Sequence, residues 1–229
     1  MPAQPHFTPA LFRFLQDLRA NNSRDWFQAN KARYETDVRE PMLRFISDFG
    51  PLLHSISERF EADPRKAGGS MFRIHRDVRF SQDKSPYKTQ VGAQFRHEAG
   101  RDAHAPGFYL HLEPGGVFVG VGLWRPEPAV AANIRQAMVD DPESWIDASQ
   151  SLDFMSNWRL SGESLKRPPR GFDKEHPLID DLKRKDYIAV HELDDADVCK
   201  ADFLARFAGL CTASAPLMRW LCRAVEVAF

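Results

Sequence analysis

The feature that most constrains this chain is a change of hydrophobic period near residue 70. Before it, apolar residues recur every three or four positions, as a helix with one buried face requires. After it they alternate, as a half-buried strand requires. Thr8 can cap a helix that Pro9 opens, and Leu11, Phe12, Leu15 and Leu18 follow at helical spacing. Asn21-Asn22-Ser23 ends that helix and starts a second, which carries Trp26, Phe27, Tyr34 and Val38. Pro41 opens a third run through Met42, Phe45, Ile46, Phe49, Leu52, Leu53, Ile56 and Phe60. A bend is expected at Gly50-Pro51, because an interior proline removes a backbone hydrogen bond.

Four strands are expected beyond the switch: Met71–Phe80, Thr89–Arg96, Phe108–Glu113 and Val117–Trp124. Pro114-Gly115-Gly116 between the last two suits a hairpin turn, since glycine tolerates positive φ. Helices are expected after Pro126 and near Pro142, then a polar surface connection over Ser161–Pro177 and a strand at Tyr187–Leu193. Ala201–Val227 is helical in pattern with a break at Pro216. The expectation is an α+β fold in one domain, residues 1–229: helical over 1–62, antiparallel strands over 70–125, mixed over 126–229. Its sheet of about four to six strands packs against N-terminal and C-terminal helices. A chain of 229 residues can bury such a core without disulfides. Cys199, Cys211 and Cys222, odd in number and without C-x-x-C spacing, read as reduced packing thiols. The most apolar stretch, Gly209–Phe229, is interrupted by Arg219, Arg223 and Glu226, so no membrane partner is expected. The N-terminus has neither the basic start nor the apolar core of a signal peptide, and the expected location is cytoplasmic.

Charge is informative only once the chain is divided. The whole carries 31 basic and 32 acidic side chains, which argues against a polyanion-coating protein. Residues 65–101 hold nine basic and three acidic groups, net +6, and the remainder is net −7. In a strand at Met71–Phe80, Arg73, His75, Asp77 and Arg79 share one face, with successive members about 6–7 Å apart. That spacing suits guanidinium groups converging on one oxyanion, which arginine binds bidentately. Arg76 falls on the apolar side and needs a carboxylate, for which Asp83 or an acidic residue outside the segment would serve. Asp83-Lys84-Ser85-Pro86 reads as a turn returning Lys84, Tyr87 and Lys88 to the same face. The competing reading is a solvated strand face whose Arg/Asp lattice staples the sheet to its helices.

The pattern R-x-x-R-D-x-R-F-x-x-D-K-x-x-Y, running from Arg73 to Tyr87, resembles the defining motif of domain of unknown function family 2461. The Asn21-Asn22…Trp26-Phe27 start and the Gly107-Phe108-Tyr109-Leu110…Gly120-Val121-Gly122 hairpin are similar to it as well. The resemblance covers most of the chain. It implies no activity, but it marks Arg73, Arg76, Asp77, Arg79, Phe80, Asp83, Lys84 and Tyr87 as the unit that matters.

Other chemistry is thinly represented. His97, His104 and His111 are evenly spaced, but equal spacing has no geometric meaning across strands and a loop, and no metal is expected. Tyr109, His111 and Glu113 share a strand face, which would let His111 join the cluster as an acid or base. A surface histidine is the plainer alternative. There is no phosphate-cradling Walker loop, dinucleotide fingerprint or G-x-S-x-G elbow, and no cofactor is expected. The acidic stretch Asp173–Asp202 reads as solvated surface. Three functional readings follow. The first is a site for a small anionic, phosphate-bearing ligand, with Arg73, Arg76, Arg79, Asp83, Lys84, Tyr87 and Lys88 binding and Asp77 or His111 moving protons. The second, less favoured, is a nucleic-acid-binding module using residues 65–101. The third is a structural charge lattice in a protein-interaction domain.

Overall fold

The computed structural model describes residues 4–100 and 106–229. Thr8 caps α1 (Pro9–Ala20) by accepting the amide of Ala10, and Ser23 caps α2 (Arg24–Ala29) by accepting that of Trp26. A short α3 (Lys31–Tyr34) and a π-helical turn at Glu35–Arg39 lead into α4 (Glu40–Ile56). This last helix runs on through Pro51, which sits on its exposed side.

Six strands form one wholly antiparallel sheet: β1 (Phe60–Glu61), β2 (Val91–His97), β3 (Gly107–Leu112), β4 (Val117–Leu123), β5 (Arg159–Ser161) and β6 (Tyr187–Leu193). Their spatial order is β1-β2-β3-β4-β6-β5. The β3–β4 hairpin turns at Gly115, whose φ of 71° is a left-handed conformation that costs glycine little. The helices α5 (Pro128–Asp140) and α6 (Pro142–Gln150), the short α7 (Leu152–Met155), α8 (Ile179–Leu182) and α9 (Asp195–Val198), and then α10 (Phe203–Ala213) and α11 (Ala215–Ala224) complete the α+β architecture.

Alternation divides the sheet into two faces. Val91, Ala93 and Phe95 of β2, Phe108, Leu110 and Leu112 of β3, and Val117, Val119 and Val121 of β4 are all buried. Helices α4 and α10 seal this face through aromatic rings. Phe49 lies 4.7 Å from Phe95 and 4.8 Å from Phe207, both edge-on, the geometry that ring quadrupoles favour. Farther along, Trp145 of α6 meets Trp220 of α11 at 4.8 Å. Cys211 and Cys222 are buried free thiols, and burial pushes Cys222 up to about 12, so both act as small apolar groups. Among the described residues no helix is long and apolar enough to cross a membrane.

Three expectations need correction. Met71–Phe80 is not a strand. It makes only two isolated bridges, Met71 to Ala93 and His75 to Tyr87, and its burial alternation, weak after Ile74, breaks at Phe80. Phe80, expected on the apolar side, is 96% exposed. The cause is local: Asp77 accepts the amide of Arg79 and Asp83 accepts that of Ser85, turns that divert backbone donors from a ladder. The acidic stretch Asp173–Asp202 is not uniformly solvated either. Asp186 is buried, taking the amides of Arg125 and Glu163, while buried Asp181 accepts the indole N–H of Trp145. Finally, the third helical run, expected to carry Phe60, ends at Ile56, and Phe60 lies in β1.

Phe49→Ala should destabilise the fold by about 3–5 kcal/mol, the usual cost of deleting a core phenylalanine. Urea unfolding followed by far-UV circular dichroism checks this. A loss below about 1 kcal/mol, the range of ordinary surface substitutions and below, would mean that Phe49 does not tie the sheet to α4 and α10.

Candidate anion-binding site

The charged segment leaves the sheet edge after Met71 and returns to it at Val91 as a loop folded back on itself. The amide of Arg76 donates to Pro86 O and that of Lys88 to Ile74 O, so residues 74–76 run beside 86–88. One side-chain amide fixes this loop to the helices. Asn22 Nδ2 donates to Tyr87 O at 3.0 Å, and Tyr87 N donates to Asn22 Oδ1 at 3.1 Å. The Tyr87 ring is buried and stacked on Phe27, with centroids 4.1 Å apart and planes 19° from parallel. His75 packs on the same ring at 5.1 Å.

Between this loop and the end of α1 lies a cleft of about 680 Å³, lined by Arg19, Asn22, Arg76, Asp77, Asp83, Ser85, Tyr87, Lys88, Thr89 and Gln90. Of the residues singled out from sequence, Arg76, Asp77, Asp83, Tyr87 and Lys88 therefore meet in one concavity. Arg73, Arg79 and Lys84 do not line it. Arg79 grips Asp77 through Nε and NH2, and Lys84 donates to Val78 O at 3.0 Å. Arg76 forms an ion pair with Asp83, as its position in the pattern required.

These pairings set the protonation of the carboxylates. The Arg79 guanidinium, helped by the Arg79 amide, brings Asp77 down to about 2, so Asp77 is a fixed anion at neutral pH and carries no proton to give. The Ser85 hydroxyl and the Arg76 guanidinium hold Asp83 well below the ordinary carboxylate range. Lys88 differs from every other cation in the segment that faces the cleft. It is partly buried, its Nζ lies 5.3 Å from the Phe72 ring centroid, and it has no carboxylate within ion-pair distance among the described residues. Burial, and then repulsion from Arg73, lowers its pKa. Arg73 likewise has no ion-pair partner among the described residues.

A second cluster adjoins the first. Tyr109 Oη is 2.9 Å from His111 Nδ1, His111 Nε2 is 3.3 Å from Glu113 Oε2, and Glu113 Oε1 accepts from Arg19 NH2 at 2.7 Å. Arg19 is thus both a wall of the cleft and the end of this chain. His111 is stacked on Phe118 at 4.6 Å, and Phe72, already under Lys88, meets the Tyr109 ring at 5.9 Å. Burial lowers the pKa of His111, against an opposing pull from Glu113, and pushes Tyr109 up to about 12.

The family model described as a conserved hypothetical protein, DUF2461, matches residues 10–220. The chain belongs to this family. No curated protein and no solved structure matches it. The match begins inside α1 and so takes in Arg19 and Asn22, which sequence reasoning did not place at the site. Asn22 had a signal, as part of the Asn21-Asn22…Trp26-Phe27 start. Arg19 had none, being one exposed arginine in the last turn of an amphipathic helix. Glu113 was noted only as a neighbour of His111 on a strand face. His104 lies outside the described residues, and among those described no group of His, Cys, Asp and Glu is arranged to hold a metal.

Because burial disfavours the imidazolium, His111 should titrate below its ordinary value of 6.5. A histidine with a depressed folded-state pKa binds fewer protons folded than unfolded. Its contribution to stability is complete above pH 6.5 and declines as pH falls below it. Imidazole C–H chemical shifts followed against pH should give a midpoint under 6.5, and Glu113→Gln should lower it further. A midpoint above 6.5 would show that Glu113 outweighs burial.

Proposed function

We propose that the cleft between α1 and the 74–88 loop binds a small anion bearing a phosphate or carboxylate group. The observation that carries this reading is Lys88. Its ammonium lines the cleft, is partly withdrawn from water, is repelled by Arg73, and has no carboxylate within ion-pair distance among the described residues. Four other cations of the segment are held by partners: Arg65 by Asp63, Arg76 by Asp83, Arg79 by Asp77, Lys84 by a backbone carbonyl. A partly desolvated cation without a carboxylate costs free energy, and an oxyanion beside Lys88 removes that cost. Arg19 and Arg76, each already bonded on one side, border the same space and keep donors free, since a guanidinium has five.

The pairing of Arg76 with Asp83 and Arg79 with Asp77 favours a second reading, in which the segment is a charge lattice that shapes the loop for a protein partner. Both readings keep the loop intact and differ only at Lys88.

Inorganic pyrophosphate titrated by calorimetry separates them. On the anion-site reading it binds, and Lys88→Met, which keeps the stem against Phe72 while removing the charge, weakens binding tenfold or more, about 1.4 kcal/mol. Arg79→Ala should leave affinity within about twofold, because exposed pairs away from a ligand contribute little. Failure of pyrophosphate to bind, or equal affinity for Lys88→Met, returns the loop to the lattice reading. A single-stranded oligonucleotide bound more tightly than pyrophosphate, with a steep decline in log K against log salt, would favour a nucleic-acid backbone as the ligand.

A further inference from the structure

Tyr109, His111 and Glu113 stand at i, i+2 and i+4, on the outward face of β3 and just beyond its end, and their polar atoms form a continuous line. Glu113 is tied to Arg19 at one oxygen, so its other oxygen is an acceptor for His111 Nε2. With Nε2–H directed at Glu113, a neutral imidazole has its lone pair at Nδ1, and Tyr109 Oη–H must donate to it. The order hydroxyl, imidazole, carboxylate is that of an activated hydroxyl: a base oriented by a carboxylate, in contact with an O–H.

Three packing features support this line and have no other evident purpose. Phe118 stacks on the imidazole with planes 16° from parallel, which fixes the ring plane. Position 92, directly across β2 from His111, is glycine, and a Cβ there would lie 2.6 Å from Tyr109 Oη. Only a residue without a side chain lets the phenol lie over β2 and reach the histidine. Phe72 then presses on Tyr109 from the 74–88 loop side while holding Lys88 against its own ring.

We propose that Tyr109, His111 and Glu113 form an acid–base relay that activates the Tyr109 hydroxyl toward a small anionic substrate held by Lys88. The substrate's placement rests on the anion-site reading above, whereas the relay itself does not. In the forward step Tyr109 Oη takes a proton from the substrate as its own proton passes to His111 Nδ1. The resulting imidazolium is stabilised by Glu113, and in the reverse transfer His111 returns a proton to Tyr109 Oη as Oη gives one to the deprotonated substrate. A free phenolate is never formed, so a phenol with a strongly held proton is compatible with the step.

N-acetylimidazole tests this without knowledge of the substrate. It transfers its acetyl group to a tyrosine oxygen, releases imidazole, and requires the phenolic proton to leave. Acetylation of Tyr109 in the intact protein, located by peptide mass spectrometry and absent in Tyr109→Phe, should be faster than at the other tyrosines. His111→Gln should slow it tenfold or more, and Glu113→Gln, which keeps shape but loses the carboxylate, should slow it by a smaller factor. Circular dichroism of each variant establishes that it is folded. If His111→Gln does not fold, the Glu113→Gln rate decides alone. No acetylation of Tyr109, or a rate indifferent to the folded variants, overturns the relay. Pyrophosphate should slow the wild-type reaction. A His111-dependent rate that pyrophosphate leaves unchanged keeps the relay and removes the anion from its vicinity, while pyrophosphate binding with a His111-independent rate does the reverse.

Discussion

The side-chain amide of Asn22 holds together two parts of the molecule that have little other reason to meet. The 74–88 loop is rich in charge and poor in apolar residues, so burial alone cannot fix it against the helices. Asn22 gives it what a neighbouring strand would have given, one donor and one acceptor to the same residue, and Tyr87 is that residue. Once the backbone is pinned there, the Tyr87 ring can stack on Phe27 and be buried. The cleft follows from this geometry, because its walls are α1, which ends beside Asn22, and the loop strand that carries Tyr87 and Lys88. A contact so local has a large structural effect because both backbone groups of Tyr87 would otherwise be unpaired in a partly buried place.

The sheet centre was legible from sequence and the loop was not, for reasons visible in single residues. Phe108–Glu113 and Val117–Trp124 alternate strictly and flank two glycines, so period and turn chemistry agree, and β3 and β4 lie there within one residue at each end. Met71–Phe80 alternates as well, yet Asp77 and Asp83 each offer an acceptor to an amide two residues on. Alternation reports what a strand would bury, and it cannot report a side chain competing for the backbone. The pairing of Arg76 with Asp83 was legible because an arginine on the apolar side demanded an anion nearby. The part of the site contributed by α1 was hidden: Arg19 meets Glu113 across 94 positions of sequence, and no local pattern encodes that encounter.

Within the charged segment, density of charge and availability of charge are different quantities. Arg79 and Asp77 satisfy one another within two residues, and both are largely open to water, so they add little field to the cleft. Lys88 contributes more, although it is one of nine basic residues in 65–101, because it is partly desolvated and has no ion-pair partner among the described residues. A net charge of +6 would have suggested a broad polyanion footprint. That sum already counts Asp77 and Asp83, and once their pairs with Arg79 and Arg76 are set aside Lys88 is left as the partly desolvated cation of the cleft.

Arg19 joins the two clusters, and the magnitude of that link decides whether they behave as one site. Its guanidinium is about half exposed, with 51% of the side chain accessible, and Glu113 retains 33%. Exposed pairs of this kind are worth about 1 kcal/mol or less. An anion that drew Arg19 away from Glu113 would therefore change the hold on His111 by less than about a factor of ten. The Phe118 stack and the Tyr109 hydrogen bond keep the imidazole in place through such an exchange. On the proposed reading, binding in the cleft and proton transfer on the sheet would thus be coupled weakly through charge, while the Phe72 ring lies 5.3 Å from Lys88 Nζ and 5.9 Å from the Tyr109 ring.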